Sequence, residues 1–240
     1  MNSPSCDGFP QKDLHVAVIM DGNRRWAKKE QVHLENGHGQ GIETLKTVVR
    51  SCPDLSIKYL TVYAFSCENW KRNPQEVKNL MDLFRHYLQE DIQELQENNV
   101  RLSIIGQREE LDKDLCDLIV AGEEKTKNNT GLFLQIALNY GGRQELIWAI
   151  KNLGKDIQNE KISPEDIGED LLSQYLWTNG IPDPHLLIRT GGDYRLSNYL
   201  LWQMSYSEFF FLEKYWPDFN SEDLKKTIDS FQERQRRFGQ

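Results

Sequence analysis

The segment HVAVIMDGNRRW, from His15 to Trp26, decides how the rest of this chain is interpreted. Its apolar run from Val16 to Met20 is typical of a strand buried on both faces. Asp21, Gly22 and Asn23 then predict a turn, and the basic residues that follow predict the start of a helix. Such a turn offers backbone N–H groups to an anion, and its aspartate could bring a divalent cation to the same point. An open alternative is that this aspartate only caps the helix, since Asp is a common N-cap residue.

Length and composition predict one large domain. The chain has 240 residues, of which 38% are hydrophobic and 28% are charged. We expect residues 1–13 to form a loose polar leader and residues 14–240 to form a single domain. The formal net charge of −8 argues against a nucleic-acid-binding protein, which needs a broad positive face. Local basic clusters against this acidic background therefore indicate phosphate sites.

Cysteine usage and the first residues predict a cytoplasmic protein. The four cysteines are widely spaced without a CxxC pair, so we expect no zinc site. The N-terminal residues lack the charged-then-apolar pattern of a signal peptide. No apolar run approaches membrane-spanning length, so any membrane association would be peripheral, at the inner face.

The order of apolar patterns predicts an α/β fold with a mostly parallel central sheet of about six strands flanked by helices. After the first strand, further strands are predicted at residues 59–65, 100–105, 132–138, 186–188 and 209–212. Helices are predicted up to about residue 30, at 42–52, 75–98 and 111–126, after residue 143, at 163–176 and from residue 221. The glycine-rich patch 36–41 lacks the spacing and the lysine of a P-loop, although His38 within it could contact a ligand.

Polar side chains follow several predicted strands at their C-terminal ends. They are Asp21, Ser66, Glu68, Asn69, Asn139 and Arg189. Open α/β sheets bind ligands beyond the C-terminal ends of their strands. This recurrence favours a catalytic role for Asp21 over a capping role.

Three acids and two arginine pairs indicate a magnesium-diphosphate site beside a second anion site. The acids are Asp21, Glu68 and Glu208, and the pairs are Arg24 with Arg25 and Arg189 with Arg195. Arginine binds phosphate oxygens bidentately, while Mg²⁺ takes one or two carboxylates plus phosphate oxygens. The P-loop, the GxGxxG motif after a strand, the kinase motifs and the Asp-rich DDxxD motif are all missing from the sequence.

Several segments resemble the cis-prenyltransferase family, whose best-known bacterial member is undecaprenyl diphosphate synthase. They are HVAVIMDGNRRWAKK (15–29), YAFSCENWKR (63–72), NYGGR (139–143), IRTGGDYRLSNYLLWQMSYSEFFF (188–211), WPDF (216–219) and RRFG (236–239). The resemblance implies an apolar tunnel and a Mg²⁺-dependent condensation of isopentenyl diphosphate with an allylic diphosphate, with farnesyl diphosphate as the expected starter. The product would be a long-chain polyprenyl diphosphate such as undecaprenyl diphosphate, which partitions to the membrane and is a lipid-carrier precursor for cell-wall peptidoglycan.

The resemblance also implies roles for single residues. Asp21 would hold Mg²⁺, and Glu208 would complete the metal site. The allylic substrate would contact Gly22, Asn23, Arg24, Arg25 and His38, with Trp26 beside its prenyl chain. Isopentenyl diphosphate would contact Arg189, Arg195, Leu196 and Ser197. Asn69 would act where the proton leaves, near Ser66, Cys67, Glu68, Trp70 and Arg72. Arg237 would reach the neighbouring subunit of a homodimer.

Two further expectations concern the tunnel and one departure from the family pattern. Helix 75–98 would line the tunnel opposite Ala64 and Leu132, although most of its apolar stripe would be ordinary core. The small Ala64 would leave room for a long chain. Leu34 stands where the family often has an arginine. Either the adjacent His33 substitutes for it, or the allylic diphosphate is held more weakly.

Other functions stay open at this point. The chain could be a short- or medium-chain cis-prenyl diphosphate synthase, or a non-catalytic partner subunit of a heteromeric prenyltransferase. Such partners typically lose the acidic motif of the first strand, whereas Asp21, Asn69 and Glu208 are present here. A phosphatase with Asp21 as nucleophile would usually have a second aspartate where Asn23 stands. The basic C-terminal tail favours a homodimer, with a solvated basic helix end as the alternative.

Overall fold

Six parallel strands form one sheet at the centre of the computed structural model, which describes residues 13–234. The strands are β1 (Leu14–Ile19), β2 (Ile57–Ser66), β3 (Arg101–Ile105), β4 (Phe133–Tyr140), β5 (Leu186–Arg189) and β6 (Glu208–Phe211). Their order across the sheet is β3-β4-β2-β1-β5-β6, and every neighbouring pair is parallel. The α/β class is therefore confirmed, and the sheet is wholly parallel in this part of the chain.

Helices connect and cover the strands, because parallel neighbours need crossover connections. They are α1 (Asn23–Lys29), α2 (Leu34–Ser51), α3 (Pro74–Glu90), α4 (Ile92–Glu97), α5 (Lys113–Thr126), α6 (Gly142–Gln158), α7 (Glu169–Gln174) and α8 (Ser221–Glu233). Two short 3₁₀ turns bear on the site, at Cys67–Lys71 and Trp216–Asp218. No helix among residues 13–234 combines the length and apolar character that crossing a bilayer requires.

Strand β1 lies in the middle of the sheet and is buried on both faces, as its apolar run predicts. Val16 and Val18 belong to one buried hydrophobic cluster, while Ala17 and Ile19 belong to a second cluster. Alternate residues of a strand point to opposite faces, so β1 contributes to both layers of the core. This strand anchors the turn that follows it.

The strands are added to the sheet first on one side of β1 and then on the other. Strands β2, β3 and β4 lie on one side of β1, whereas β5 and β6 lie on the other. Strands β1 and β5 are neighbours, and at their C-terminal ends Ile19 pairs with Arg189. Ligands of open α/β sheets bind at such a reversal of strand order, beyond the C-terminal ends of the strands.

The glycine-rich patch 36–41 is helical, which corrects the expectation of an irregular segment before a helix at residue 42. Helix α2 begins at Leu34 and runs through the glycines. A Cβ atom on Gly37 would lie 2.6 Å from the carbonyl oxygen of Asn23, and one on Gly41 would lie 2.7 Å from the Asn23 side-chain oxygen. These glycines therefore let α2 pack directly against the start of α1.

Two long predicted helices are interrupted. The helix predicted at 75–98 is divided at Asp91 into α3 and α4. The helix predicted at 163–176 consists of a 3₁₀ turn at Pro164–Asp166 followed by α7. The backbone N–H of Ser163 donates to the Asp166 carboxylate at 3.0 Å, which is part of the capping box that begins this turn, and the extended backbone of Ile167 ends it.

Candidate active site

A cavity of about 650 Å³ opens at the C-terminal ends of the central strands. Charged side chains from the β1–α1 turn and from the segment after β5 line one part of it. Apolar side chains from α2, β2, α3 and β4 line another part, among them Leu45, Ala64, Leu80, Phe84 and Ile136. A cavity with both linings can hold a ligand that has an anionic group and a hydrocarbon tail.

Most of the residues expected at the site line this one cavity. They are Asp21, Gly22, Asn23, Arg24, Arg25, His38, Ser66, Asn69, Arg72, Arg189, Arg195 and Ser197. They come from four separate parts of the sequence, which are 21–25, 38, 66–72 and 189–197. The parallel sheet brings these parts together at one edge.

Asp21 lies between two arginines in this cavity. Its Oδ2 atom accepts a hydrogen bond from Nη2 of Arg189 at 2.8 Å, and its Oδ1 atom lies 3.2 Å from Nη2 of Arg25. The backbone N–H of Asp21 donates to the Thr190 hydroxyl at 3.0 Å. The Asp21 side chain remains 28% exposed, whereas that of Arg189 is only 3% exposed. The carboxylate is therefore held in place yet accessible from the cavity.

The capping interpretation of Asp21 is wrong. The N-cap of α1 is Gly22, which has a φ of 105° and no side-chain cap. Oδ1 of Asp21 accepts from the N–H of Gly22 itself, at 2.6 Å, rather than from the first turn of α1. Glycine is required here because of its positive φ and because a Cβ would lie 2.7 Å from the Tyr215 ring.

Arg189 is almost fully buried and connects the turn at Asp21 to the segment after β5. Its Nη1 donates to the Ser197 hydroxyl at 2.9 Å and also to the backbone carbonyl of Arg195. Its Nε atom is buried without a hydrogen-bond partner among the described residues. A buried unsatisfied donor is costly in a protein interior, so this guanidinium is suited to an anionic oxygen.

Asp193 was not singled out from the sequence, yet it lies among the arginines of this cavity. Its carboxylate lies 3.0 Å from Nη2 of Arg25, 2.7 Å from Nη1 of Arg195 and 3.9 Å from Nη2 of Arg189. The hydrogen bond from Arg195, followed by the charges of Arg195 and Arg25, holds the pKa of Asp193 below its usual value. Asp193 is therefore ionised at neutral pH.

A second basic group lies on the α3 side of the cavity and depends on Glu76. The Glu76 side chain is 7% exposed and forms ion pairs with Arg24 and, at 3.1 Å, with Arg72. Burial lowers the pKa of nearby His38 to about 4, so its imidazole is neutral at pH 7. Nε2 of His38 is buried and has no partner among the described residues. Glu76 lies four residues after Arg72, and this i,i+4 spacing is the signal that could have found it.

Asn69 and Ser66 form a local turn at the end of β2. The backbone N–H of Ser66 donates to Oδ1 of Asn69 at 3.2 Å, which is part of the capping box that begins the turn Cys67–Lys71. This bond occupies the Asn69 carbonyl oxygen and leaves its amide nitrogen to other partners. Both residues line the cavity.

Three expected residues that follow β2 lie outside the main cavity. Cys67, Glu68 and Trp70 line a separate open depression. The carboxylate of Glu68 accepts a hydrogen bond from Nδ2 of Asn198 at 2.8 Å, and Nε1 of Trp70 donates to Oδ1 of Asn139 at 2.8 Å. Burial raises the pKa of Cys67 to about 11, so its thiol is protonated. These contacts brace the strand ends against each other.

Other expected residues are also placed away from Asp21. Nε1 of Trp26 donates to the Asp218 carboxylate at 2.7 Å, so the indole is turned to the WPDF segment. Leu196 packs on the second hydrophobic cluster. Leu132, expected opposite helix 75–98, lines a separate cavity of about 120 Å³. Arg237 lies outside the described residues, as does the leader at 1–12.

Glu208 is not brought to Asp21 within a single chain. It is the first residue of β6 and pairs with Leu186, the first residue of β5. Asp21 follows the C-terminal end of β1, whereas Glu208 lies at the N-terminal end of β6, so the two acids lie at opposite ends of the parallel strands. The Glu208 carboxylate instead accepts a hydrogen bond from Nη1 of Arg234 at 2.8 Å.

The residues of the cavity fit a magnesium ion that is shared with a diphosphate. Among residues 13–234, no group of three or more His, Cys, Asp or Glu side chains could hold a metal alone. Mg²⁺ is commonly bound by one or two carboxylates plus substrate phosphate oxygens. The accessible carboxylate of Asp21, beside arginines that can bind those oxygens, matches this type of site.

Comparison with known proteins agrees with the fold and gives the family. A family model described as "Putative undecaprenyl diphosphate synthase" matches residues 19–239. The chain is 50% identical over 225 residues to an isoprenyl transferase of Clostridium perfringens, which covers 94% of this chain and 89% of that protein. It is 48% identical to the ditrans,polycis-undecaprenyl-diphosphate synthase ((2E,6E)-farnesyl-diphosphate specific) of Micrococcus luteus, with 94% and 90% covered.

Among solved structures, lavandulyl diphosphate synthase from Lavandula x intermedia, in complex with dimethylallyl diphosphate, has a TM-score of 0.91 to this chain. Its sequence is 36% identical, and the match covers 94% of this chain and 98% of that one. Sequence and structure thus agree over nearly the full length. This chain belongs to the cis-prenyltransferase family, as a member of its undecaprenyl diphosphate synthase group.

Proposed function

We propose that this protein condenses isopentenyl diphosphate with an allylic diphosphate and extends the prenyl chain with cis double bonds. The single observation that carries this proposal is the position of Asp21. Its carboxylate lies among arginines, at a cavity that also has an apolar lining. An allylic diphosphate has the matching combination of a charged head and a hydrocarbon chain.

Two groups of basic residues support two diphosphate sites. On the α3 side, Arg24, Arg72 and His38 would bind the allylic diphosphate, together with the turn at Gly22 and Asn23, where the Gly22 N–H would exchange its bond to Asp21 for one to the ligand. On the β5 side, Arg189, Arg195 and Ser197 would bind the diphosphate of isopentenyl diphosphate. Arg25 lies between these groups, within 3.2 Å of Asp21. The two substrates would then lie side by side across the end of β1.

The reaction needs electrostatic stabilisation rather than a covalent enzyme intermediate. The allylic C–O bond breaks with its electron pair going to the diphosphate, and the arginines stabilise the charge that develops there. A magnesium ion held by Asp21 would add to this stabilisation as a Lewis acid. The alkene of isopentenyl diphosphate then forms the new C–C bond, and loss of a proton gives the cis double bond. The amide nitrogen of Asn69 would orient the donor where this proton leaves.

The preferred starter and product are proposed from the most informative relative. The Micrococcus luteus protein, whose name specifies farnesyl diphosphate and an undecaprenyl product, is 48% identical to this chain. We therefore propose farnesyl diphosphate as the starter and undecaprenyl diphosphate as the product. The structural similarity to lavandulyl diphosphate synthase, at 36% identity, makes a short product the second candidate.

We further propose that the protein acts as a homodimer in the cytoplasm and releases its product at the inner face of the membrane. Within one chain Glu208 lies at the N-terminal ends of the strands, and Asp21 lies beyond their C-terminal ends. Arg237 belongs to a basic tail that the family pattern assigns to the neighbouring subunit. Light scattering coupled to size-exclusion chromatography of the full chain should give twice the monomer mass of 28.1 kDa, and a monomer at assay concentrations would refute the dimer.

Purified protein with farnesyl diphosphate, labelled isopentenyl diphosphate and Mg²⁺ tests the function directly. We expect label to enter butanol-extractable polyprenyl diphosphates whose length chromatography resolves. Products of one or two additions would support the short-chain candidate. No incorporation, with the protein folded, would support a partner subunit. Release of inorganic phosphate from farnesyl diphosphate without any condensation would support a phosphatase.

A further inference from the structure

Asp193 occupies the centre of an arginine cluster that already has another acid. Its carboxylate lies between Arg25 at 3.0 Å, Arg195 at 2.7 Å and Arg189 at 3.9 Å. Guanidinium groups that converge on two oxygens in this way form the arrangement by which arginines bind a phosphate group. The carboxylate of Asp193 therefore occupies the position among the arginines where an anionic ligand would bind.

The cluster is nearly balanced in charge. Three arginines face two carboxylates, because Asp21 lies 2.8 Å from Arg189 and 3.2 Å from Arg25. Without Asp193, the half-exposed Arg195 would lose the ion pair that the structure gives it. Like charges at such separations repel each other. Asp193 thus keeps the three guanidinium groups close together while no ligand neutralises them.

We propose that Asp193 is a positioning residue, an internal counter-ion that assembles the arginines of the donor site and is displaced by the diphosphate of isopentenyl diphosphate. This inference rests on the proposed function, since it takes Arg189 and Arg195 as the donor site. The diphosphate carries more negative charge than a carboxylate and more oxygens that accept hydrogen bonds, so it competes successfully for the arginines. Asp193 then lies beside a bound anion and repels it.

This repulsion has a use in repeated elongation. In each cycle the allylic C–O bond breaks, so the lengthened product keeps the diphosphate that entered with isopentenyl diphosphate. Before the next cycle this diphosphate must leave the donor site and act as the allylic one. Asp193 returning to Arg25 and Arg195 favours that departure. Tighter ground-state binding at this site would lower KM without helping the rate.

The test compares wild type with Asp193→Asn, which keeps the shape of the side chain and removes its charge. Calorimetry with inorganic diphosphate, in the absence of Mg²⁺, should show binding that is about three- to tenfold tighter in the variant, because a repelling charge is gone. In the elongation assay, KM for isopentenyl diphosphate should fall by a similar factor. The kcat over repeated cycles should fall as well, and the mean product length should decrease.

Glu213→Gln is the matched control. It removes one negative charge close to the same segment, where Glu213 accepts a hydrogen bond from the Tyr194 hydroxyl at 3.1 Å. In the described part of the chain, Glu213 has no ion pair with the three arginines. We expect its affinity for diphosphate to match that of wild type. Equal tightening in both variants would overturn the specific role of Asp193.

Weaker or unchanged diphosphate binding by Asp193→Asn would also overturn the inference, since a residue that only orders the loop would give that result. Asp193→Ser provides a second variant without the carboxylate, and the melting temperature of each variant shows that it is folded. The binding measurement does not depend on turnover. Wild type that binds diphosphate but never elongates a chain would refute the proposed function, while the calorimetric comparison would still decide the role of Asp193.

Discussion

The Asp21 carboxylate and the Arg189 guanidinium form a 2.8 Å hydrogen bond, although 168 positions separate them in the sequence. Both residues lie at the point where the strand order reverses, one after β1 and the other at the end of β5. The sheet therefore places a carboxylate and a guanidinium together at the C-terminal ends of its strands, although no local sequence motif joins them. Their pairing also means that each partly neutralises the charge of the other.

Replacing Glu76 should weaken binding of the allylic substrate. Glu76 is 7% exposed and does not line the cavity, so, unlike Asp193, it fixes Arg24 and Arg72 without occupying the place of a ligand, and in Glu76→Gln both arginines lose that support. We expect KM for farnesyl diphosphate to rise about tenfold with a smaller change in kcat, since a charge-assisted contact contributes about 1.5–3 kcal/mol. Glu94→Gln, which disturbs the Arg50 pair on α4, is the control. A KM equal to wild type would contradict this role.

An arginine at residue 34 should strengthen the same binding. Leu34 is the first residue of α2, the helix that carries His38 to the cavity. We expect Leu34→Arg to lower KM for the allylic substrate several-fold, because the added cation attracts the diphosphate. Val120→Arg adds the same charge on an exposed position of α5 and should leave KM unchanged. An unchanged or raised KM in Leu34→Arg would reject the idea.

The fold followed from local patterns that the sequence displays directly. The buried run of β1 and the polar residues at strand ends predict the sheet and the edge at which Asp21 and Arg189 meet. The helical state of 36–41 could not be predicted in this way, because Gly37 and Gly41 are poor helix formers whose close contact with Asn23 depends on tertiary packing.

The parts of the site that sequence patterns missed are the counter-ions of the arginines. Asp193 looks like an ordinary surface acid in the sequence. The spacing of Glu76 from Arg72 is a sequence signal, but only the assembled structure shows that Glu76 also contacts Arg24 and that Asp193 contacts Arg25. The opposite error occurred for Glu68, which follows a strand end yet points to Asn198 outside the main cavity. A residue's position after a strand predicts that it lies at the C-terminal ends of the strands, but it does not predict which way its side chain points.

Filling the apolar part of the cavity should shorten the product. Ala64 lines the cavity together with Leu80 and Phe84. In Ala64→Leu, the added side-chain atoms would occupy space needed by a growing chain, so we expect shorter polyprenyl diphosphates by chromatography. Ala121→Leu, on an exposed position of α5, is the size-matched control. Wild-type product length in Ala64→Leu would mean that the chain does not pass Ala64.

Acid should destabilise the protein through buried His15. Its Nδ1 donates to the Pro182 carbonyl at 2.6 Å, and its Nε2 lies 2.8 Å from the Thr61 hydroxyl. Burial lowers the pKa of His15 from 6.5 to about 4, so between these values the unfolded state binds more protons than the folded state. Stability therefore falls as the pH falls through this window.

We expect His15 to account for a loss of about 2 kcal/mol between pH 7.5 and pH 5. Urea unfolding of wild type and His15→Gln at both pH values measures this contribution. The variant should be less stable at pH 7.5 but should lose less stability on acidification. If both proteins lose the same amount, other groups cause the acid sensitivity.

The most direct test of the central claim is the elongation rate of Asp21→Ala, measured over a titration of Mg²⁺ with farnesyl diphosphate and labelled isopentenyl diphosphate. If Asp21 shares a metal ion with the allylic diphosphate, the variant should retain its fold, lose about a thousandfold in kcat and need more Mg²⁺ for its remaining activity. Elongation at the wild-type rate, with the same dependence on Mg²⁺, would contradict the account.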